Sequence, residues 1–138
     1  NTLTQKIMGN TGEATICLHL QELANGQKAG LCVMGKQYNL VGIKKTNGKL
    51  VLFTDINGEV NETPVKTSMV YLRASVTTET GKNQFYYSLD NKSFTPIGGQ
   101  FIAGFGFWKG PKLGLYSYSE TGEGGNALFD WFRYEYEK

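Results

Sequence analysis

The stretch FYYSLDNKSFTPIGGQF, Phe85 to Phe101, decides how the chain is read. Five aromatic rings surround a polar segment in which Asp90 and Asn91 supply the turn residues, since both tolerate tight backbone geometry. On either side, NQFYYSL and KSFTPIG read as two paired strands. Side chains of a strand alternate between its faces, so Phe85 and Tyr87 share one face while Tyr86 points the other way. The three rings therefore cannot make one flat platform, and at least some of them are core.

The same period-2 alternation extends outward in both directions. In EATICLHL, Ala14, Ile16, Leu18 and Leu20 fall on one face, with Thr15, Cys17 and His19 on the other. AGLCVMG and YNLVGIKK follow, then the turn TNGK, whose Asn47-Gly48 pair suits a two-residue hairpin because both positions accept positive φ. LVLFTD runs to a second such pair, Asn57-Gly58. Pro64 reads as a break before MVYLRASVTTE, where Val70, Leu72, Ala74 and Val76 oppose Tyr71, Arg73 and Ser75. GQFIAGFGFWKGPKLGLYSYSE is punctuated by glycine, as in strands that bend. In NALFDWFRYEYE, Leu128, Asp130, Phe132 and Tyr134 alternate with Phe129, Trp131, Arg133 and Glu135. About ten short strands at regular spacing, without an amphipathic helix, predict an all-β, antiparallel two-sheet β-sandwich.

Composition agrees and narrows the function classes. The 138 residues suit a single domain over 1–138, and 40% hydrophobic with 19% charged residues and 18 glycines suits a turn-rich β-protein. A net charge of +2, with 14 basic residues scattered among 12 acidic ones, argues against nucleic acid as a partner. No apolar stretch approaches the ~20 residues of a helical membrane span. Residue 1 is Asn, which reads as the start of a mature or excised piece of a longer product. Cys17 and Cys32 read as two buried free thiols, and one histidine, His19, leaves little for a zinc site or a catalytic triad.

The order NTLTQK, GEAT, AGL, FYYSLDNKSFTPIG, WKGPKLGL and FDWFRYE resembles the C-terminal concanavalin A-like β-sandwich domain of family 43 glycoside hydrolases, the β-xylosidases and α-L-arabinofuranosidases. The likeness runs from Asn1 to Glu137 and is strongest from Tyr71 onward. Its most specific part is YYSLD followed by F-x-P-I-G, W-x-G-x-x-x-G-L and DWFR. The family more often has Gly where this chain has Asn91, and Lys44 to Lys66 match little. The resemblance implies a concanavalin A-like jelly roll acting as the non-catalytic C-terminal module of a hydrolase of xylan or arabinoxylan. That module would dock on the catalytic β-propeller, stabilise it and help wall its active-site pocket. In the parent enzymes it is the propeller that carries the catalytic carboxylates. The carboxylate pairs of this chain, Glu120 with Glu123, Glu135 with Glu137 and Asp55 with Glu59, read as solvated rather than catalytic.

A second reading is direct binding of xylan or arabinoxylan oligosaccharides, as by a carbohydrate-binding module or lectin. For either surface Trp108 is the leading candidate, with Tyr116, Tyr118 and Tyr38 as further rings. Trp131, grouped with Phe129, reads as core. Asp130 shares its predicted face with apolar residues and needs a partner. That partner is a cation such as Arg73, or a structural calcium held with Glu13 if the first and last strands lie side by side. No other cofactor is implied.

Overall fold

The computed structural model describes residues 2–6, 11–21, 23–34, 38–77, 82–102, 112–119 and 128–137. They form eleven strands and no helix: β1 (Thr2–Lys6), β2 (Thr11–His19), β3 (Gln27–Met34), β4 (Tyr38–Thr46), β5 (Lys49–Ile56), β6 (Glu59–Val65), β7 (Met69–Thr77), β8 (Lys82–Ser88), β9 (Thr95–Ile102), β10 (Lys112–Ser119) and β11 (Leu128–Glu137). Among these residues there is accordingly no helix long and apolar enough to cross a membrane. All ladders are antiparallel and build two sheets, one of six strands ordered β1-β10-β3-β4-β5-β6 and one of five ordered β11-β2-β7-β8-β9.

The alternation read from the sequence explains why the sheets stack. Ala14, Ile16 and Leu18 of β2, Val70, Leu72 and Ala74 of β7 and Phe85 of β8 face Leu31, Val33, Val41, Ile43, Leu52 and Leu113 of the six-stranded sheet in one core cluster. Each large side chain buried there contributes about 1.5–3 kcal/mol relative to exposure. Phe85 meets Phe101 with ring centroids 4.9 Å apart and planes tilted by 41°, a geometry that avoids face-to-face repulsion between rings. Tyr87 packs against the same cluster, while Tyr86 stays half-buried on the outside. The aromatic stretch thus divides between core and surface.

Both Asn-Gly hairpins form. Asn47 and Gly48 have φ of 51° and 77°, and Asn57 and Gly58 have φ of 54° and 85°, the left-handed pair that a twisted two-residue hairpin requires. The Asn57 amide also donates to Asn39 Oδ1 at 2.9 Å, tying the second turn to β4.

Two local expectations need correction. Pro64 does not break a strand but sits inside β6, where the missing N–H is tolerated because β6 is the edge of its sheet. The β8–β9 connection is a six-residue loop, 89–94, rather than a tight turn at Asp90-Asn91. Its shape is set by the Asp90 carboxylate, which accepts from the Lys92 and Ser93 amides and from the Ser88 hydroxyl at 2.9–3.0 Å. The strand that carries Glu13, β2, does lie beside the last strand, β11, as expected, while β1 pairs with β10.

Candidate functional site

Because neighbouring strands are antiparallel, the odd-numbered strands finish and the even-numbered ones begin at one shared end of the sandwich. Tyr38 opens β4, Val60 is the second residue of β6 and Ile102 closes β9, so all three sit at that end. They are 68%, 52% and 61% exposed and make up three of the four large exposed hydrophobics among the described residues. The fourth, Leu89, is at the opposite end in the β8–β9 loop. Tyr38 and Val60 lie on the outer face of the six-stranded sheet, Val60 directly opposite Asp55, whereas Ile102, next to the buried Phe101, faces outward from the five-stranded sheet. Exposed apolar residues that share a face mark a contact surface, single ones do not. Tyr38 was among the expected residues; Val60 and Ile102 were not, because alternation alone does not tell an edge position from a buried one.

Tyr38 also stands beside a carboxylate. Leu40 and Asp55 are directly opposed in the β4–β5 ladder, so Tyr38, two residues before Leu40, is a diagonal neighbour of Asp55 on the outer sheet face. Such a pair is about 7–8 Å apart and within reach of long side chains. An exposed ring next to a hydrogen-bond acceptor is suited to a polar, flat-faced ligand.

Tyr116 is corrected. Its ladder position is on the same outer face, but it is only 8% exposed and clusters with Cys32, Phe53 and Leu40. The ring reaches over Gly30 and Gly42, and its hydroxyl donates to the Val41 carbonyl at 3.3 Å. A Cβ on Gly42 would fall 2.2 Å from that hydroxyl, so the glycine is what lets the ring lie down. Burial, then the neighbouring Cys32 and Asp55, holds the phenol well above its usual pKa. Burial likewise pushes the Cys32 thiol up to about 11, partly offset by a hydrogen bond with the Gly114 backbone. Tyr116 therefore builds the sheet rather than offering a stacking face. Beside it, the ammonium groups of Lys28 and Lys44 lie 5.9 and 5.8 Å from the centre of the Phe53 ring, and Lys44 also pairs with Glu62.

The calcium expectation fails on register. Glu13 is opposite Glu135, whereas Asp130 falls in a bulge between the Phe129–Leu18 and Trp131–Cys17 pairs. Four to five residues of strand separate the two positions, about 13–17 Å, too far for one ion to hold both carboxylates. The side chains of Phe129 and Trp131 lie outside the described residues. Glu13 is instead 3.4 Å from Arg73. Arg73 donates to Thr15 Oγ1 at 3.0 Å, and its guanidinium lies 3.6 Å from the centre of the Phe94 ring. This arrangement ties β7, β2 and the β8–β9 loop together. Among the described residues no group of three or more His, Cys, Asp or Glu could hold a metal.

The remaining expectations divide as follows. Trp108 lies between β9 and β10, outside the described residues, as do Glu120 and Glu123. Tyr118 is opposite Lys28 on β10, but its side chain is outside the description, as is that of Asp130. Asp55 is opposite Val60 and Glu59 opposite Ile56, so that carboxylate pair is split between two faces. Cys17 and Cys32 are both free and buried.

Comparison with known proteins gives a consistent result. The family model for the β-xylosidase C-terminal concanavalin A-like domain matches residues 1–135. The β-xylosidase of Formosa agariphila is 34% identical over 141 residues, which cover 99% of this chain and 24% of that protein. The bifunctional GH43-CE protein of Bacteroides eggerthii superposes with a TM-score of 0.89 at 28% identity, over 98% of this chain and 19% of its own. A GH43 protein of Bacillus licheniformis, 24% identical over 97% of this chain and 29% of its own, has the same fold with a TM-score of 0.76. The chain thus spans about a quarter of the length of the curated relative.

Proposed function

The chain belongs to the family of concanavalin A-like C-terminal domains of β-xylosidases, and from that premise we propose that its 138 residues form one non-catalytic accessory module of a family 43 glycoside hydrolase. It docks on the catalytic propeller of its parent and stabilises it; the parent hydrolyses xylan or arabinoxylan. The observation that carries the docking is the pair of exposed apolar side chains, Tyr38 and Val60, on the outer face of the six-stranded sheet at one end of the sandwich. Aromatic and aliphatic anchors of this kind dominate the energy of protein interfaces. In the parent, that end faces the propeller.

Calorimetry on the full-length parent tests this. Docked modules are expected to melt in one transition, and Tyr38→Asp combined with Val60→Asp is expected to split it in two. A double variant that still melts as one transition at the wild-type temperature would refute the docking surface. The isolated chain is expected to release no sugar from xylosides or arabinosides.

Tyr38 beside Asp55 favours a second reading, direct binding of xylan-type chains. Saturable heat from xylohexaose that Tyr38→Ala abolishes would establish it; no heat at millimolar ligand would remove it.

A further inference from the structure

The opposite end of the sandwich has a different character. Here the two sheets part around an open depression of about 360 Å³, lined by Leu20, Gln21, Lys45, Gly48, Leu50, Thr67 and Ser68. That volume falls within the ~300–1,000 Å³ range of small-ligand sites. Its base is apolar: Leu20 is almost fully buried and Leu50 packs on the main core. Its rim is polar and held by hydrogen bonds. The Leu20 amide donates to Ser68 O at 2.9 Å, the Gly48 amide to Asn25 Oδ1 at 2.8 Å, and the Thr67 hydroxyl to Met69 O at 2.7 Å. Gly48 leaves its side of the mouth clear, since even an added Cβ would meet nothing within 4 Å.

Charge is the second observation. The described segments that border the depression, 20–21, 45–50 and 66–68, contain Lys45, Lys49 and Lys66 and no carboxylate. The Asp90 carboxylate, in the β8–β9 loop at the same end, is engaged by its own loop. Glu22, next to Gln21 in the sequence, is outside the described residues, and among those that line the depression Lys45 is the one charged side chain. A cation in a concave lining favours an anionic group. An apolar base, a hydrogen-bonding rim and cationic surroundings together suit a ligand with a hydrophobic face, several hydroxyls and one negative charge.

We infer that this depression is a subsite for a uronic acid, a carboxylate-bearing pyranose such as a glucuronate substituent on a glycan chain. The ring lies on Leu50, Lys45 meets the carboxylate, and Gln21 and Ser68 meet hydroxyls. Because the rim is fixed before the ligand arrives, little ordering is needed on binding. The site is at the end away from Tyr38, Val60 and Ile102, so it does not depend on the docking reading and stays open if that reading holds.

The test is a titration of the 15N-labelled chain with methyl β-D-glucuronide, methyl β-D-glucoside and acetate. The two sugars differ in the carboxylate alone, and acetate is the carboxylate without the ring. Glucuronide is expected to shift the Gln21, Gly48 and Ser68 amides saturably, with glucoside and acetate each weaker by about fivefold or more. Lys45→Gln should weaken glucuronide by a similar factor while the Leu72 amide stays in place, and added salt should weaken it further. Equal responses to the two sugars, an acetate response matching that of glucuronide, shifts confined to other residues, or no saturable shift would each overturn the inference.

Discussion

Gly42→Ala is the most informative single change to this fold, because the volume it needs is already taken from two directions. Its Cβ would lie 2.2 Å from the Tyr116 hydroxyl and 2.5 Å from the Ala29 carbonyl oxygen, against ordinary contacts of about 3.5–4.0 Å. The hydroxyl is the end of a side chain and can swing away, losing its bond to Val41 and costing about 0.5–1.5 kcal/mol. The Ala29 carbonyl belongs to the neighbouring strand and moves only if the β3–β4 ladder moves. Overpacking of that kind costs about 1–3 kcal/mol. The expected loss is therefore ~3 kcal/mol in urea denaturation at an unchanged m-value. In a Tyr116→Phe background the hydroxyl obstacle is gone and the backbone one remains, so the same substitution should cost ~2 kcal/mol there. A cost below ~0.5 kcal/mol, or equal costs in the two backgrounds, would refute the packing of Tyr116 over the glycine pair.

Arg73→Ala removes the Phe94 stack, the Thr15 hydrogen bond and the Glu13 pair at once; with Glu13 nearly half exposed, ~1–2 kcal/mol is expected in the same assay. The Ser93 and Lys92 amides, followed by the Ser88 hydroxyl, lower the Asp90 carboxyl from 3.8 to about 2. A carboxyl depressed on folding adds stability above its unfolded value that is lost as pH falls through the folded one. NMR titration should therefore show the Ser93 amide shifting near pH 2 rather than near 4, and a midpoint near 4 would contradict the loop geometry. Cys17 and Cys32 are buried and free, and the Cys32 thiol is pushed up to about 11, so it is neutral across physiological pH. Neither thiol should react with an aromatic disulfide reagent at pH 8 until denaturant is added; rapid native labelling of either would place it at the surface.

The fold was legible because its rules are local. Ile16, Leu18, Val70 and Leu72 declare a buried face by alternation, and two Asn-Gly pairs declare hairpins by the one backbone geometry they share. What alternation cannot carry is a change of register. The bulge at Asp130 leaves no mark in LFDWFR, and neither does the pairing that sets Glu13 opposite Glu135 instead of near Asp130. Pro64 was misjudged for a related reason, since edge and centre strands differ in their neighbours rather than in their own composition. At the surface, Tyr38 could be found by its residue type, but the end it shares with Val60 and Ile102 depends on strand directions assembled over the whole chain. Tyr116 shows the converse. A tyrosine at an outward strand position is buried here because glycines on two adjacent strands make room for its ring.

The order of strands also governs how the molecule comes together as it is synthesised. Strands β3 to β6 pair with their immediate successors and can close as soon as they are made. By contrast β1 pairs only with β10, Thr2 against Tyr116. At roughly 5–20 residues per second on the ribosome, the first strand waits about 6–20 s for its neighbour. Ladders joining residues so distant along the chain form slowly after release as well. Truncation shortly before Lys112 would leave the β3–β6 meander complete while removing β10, the strand that joins β1 to it, so the integrity of the six-stranded sheet rests on a strand made long after the first.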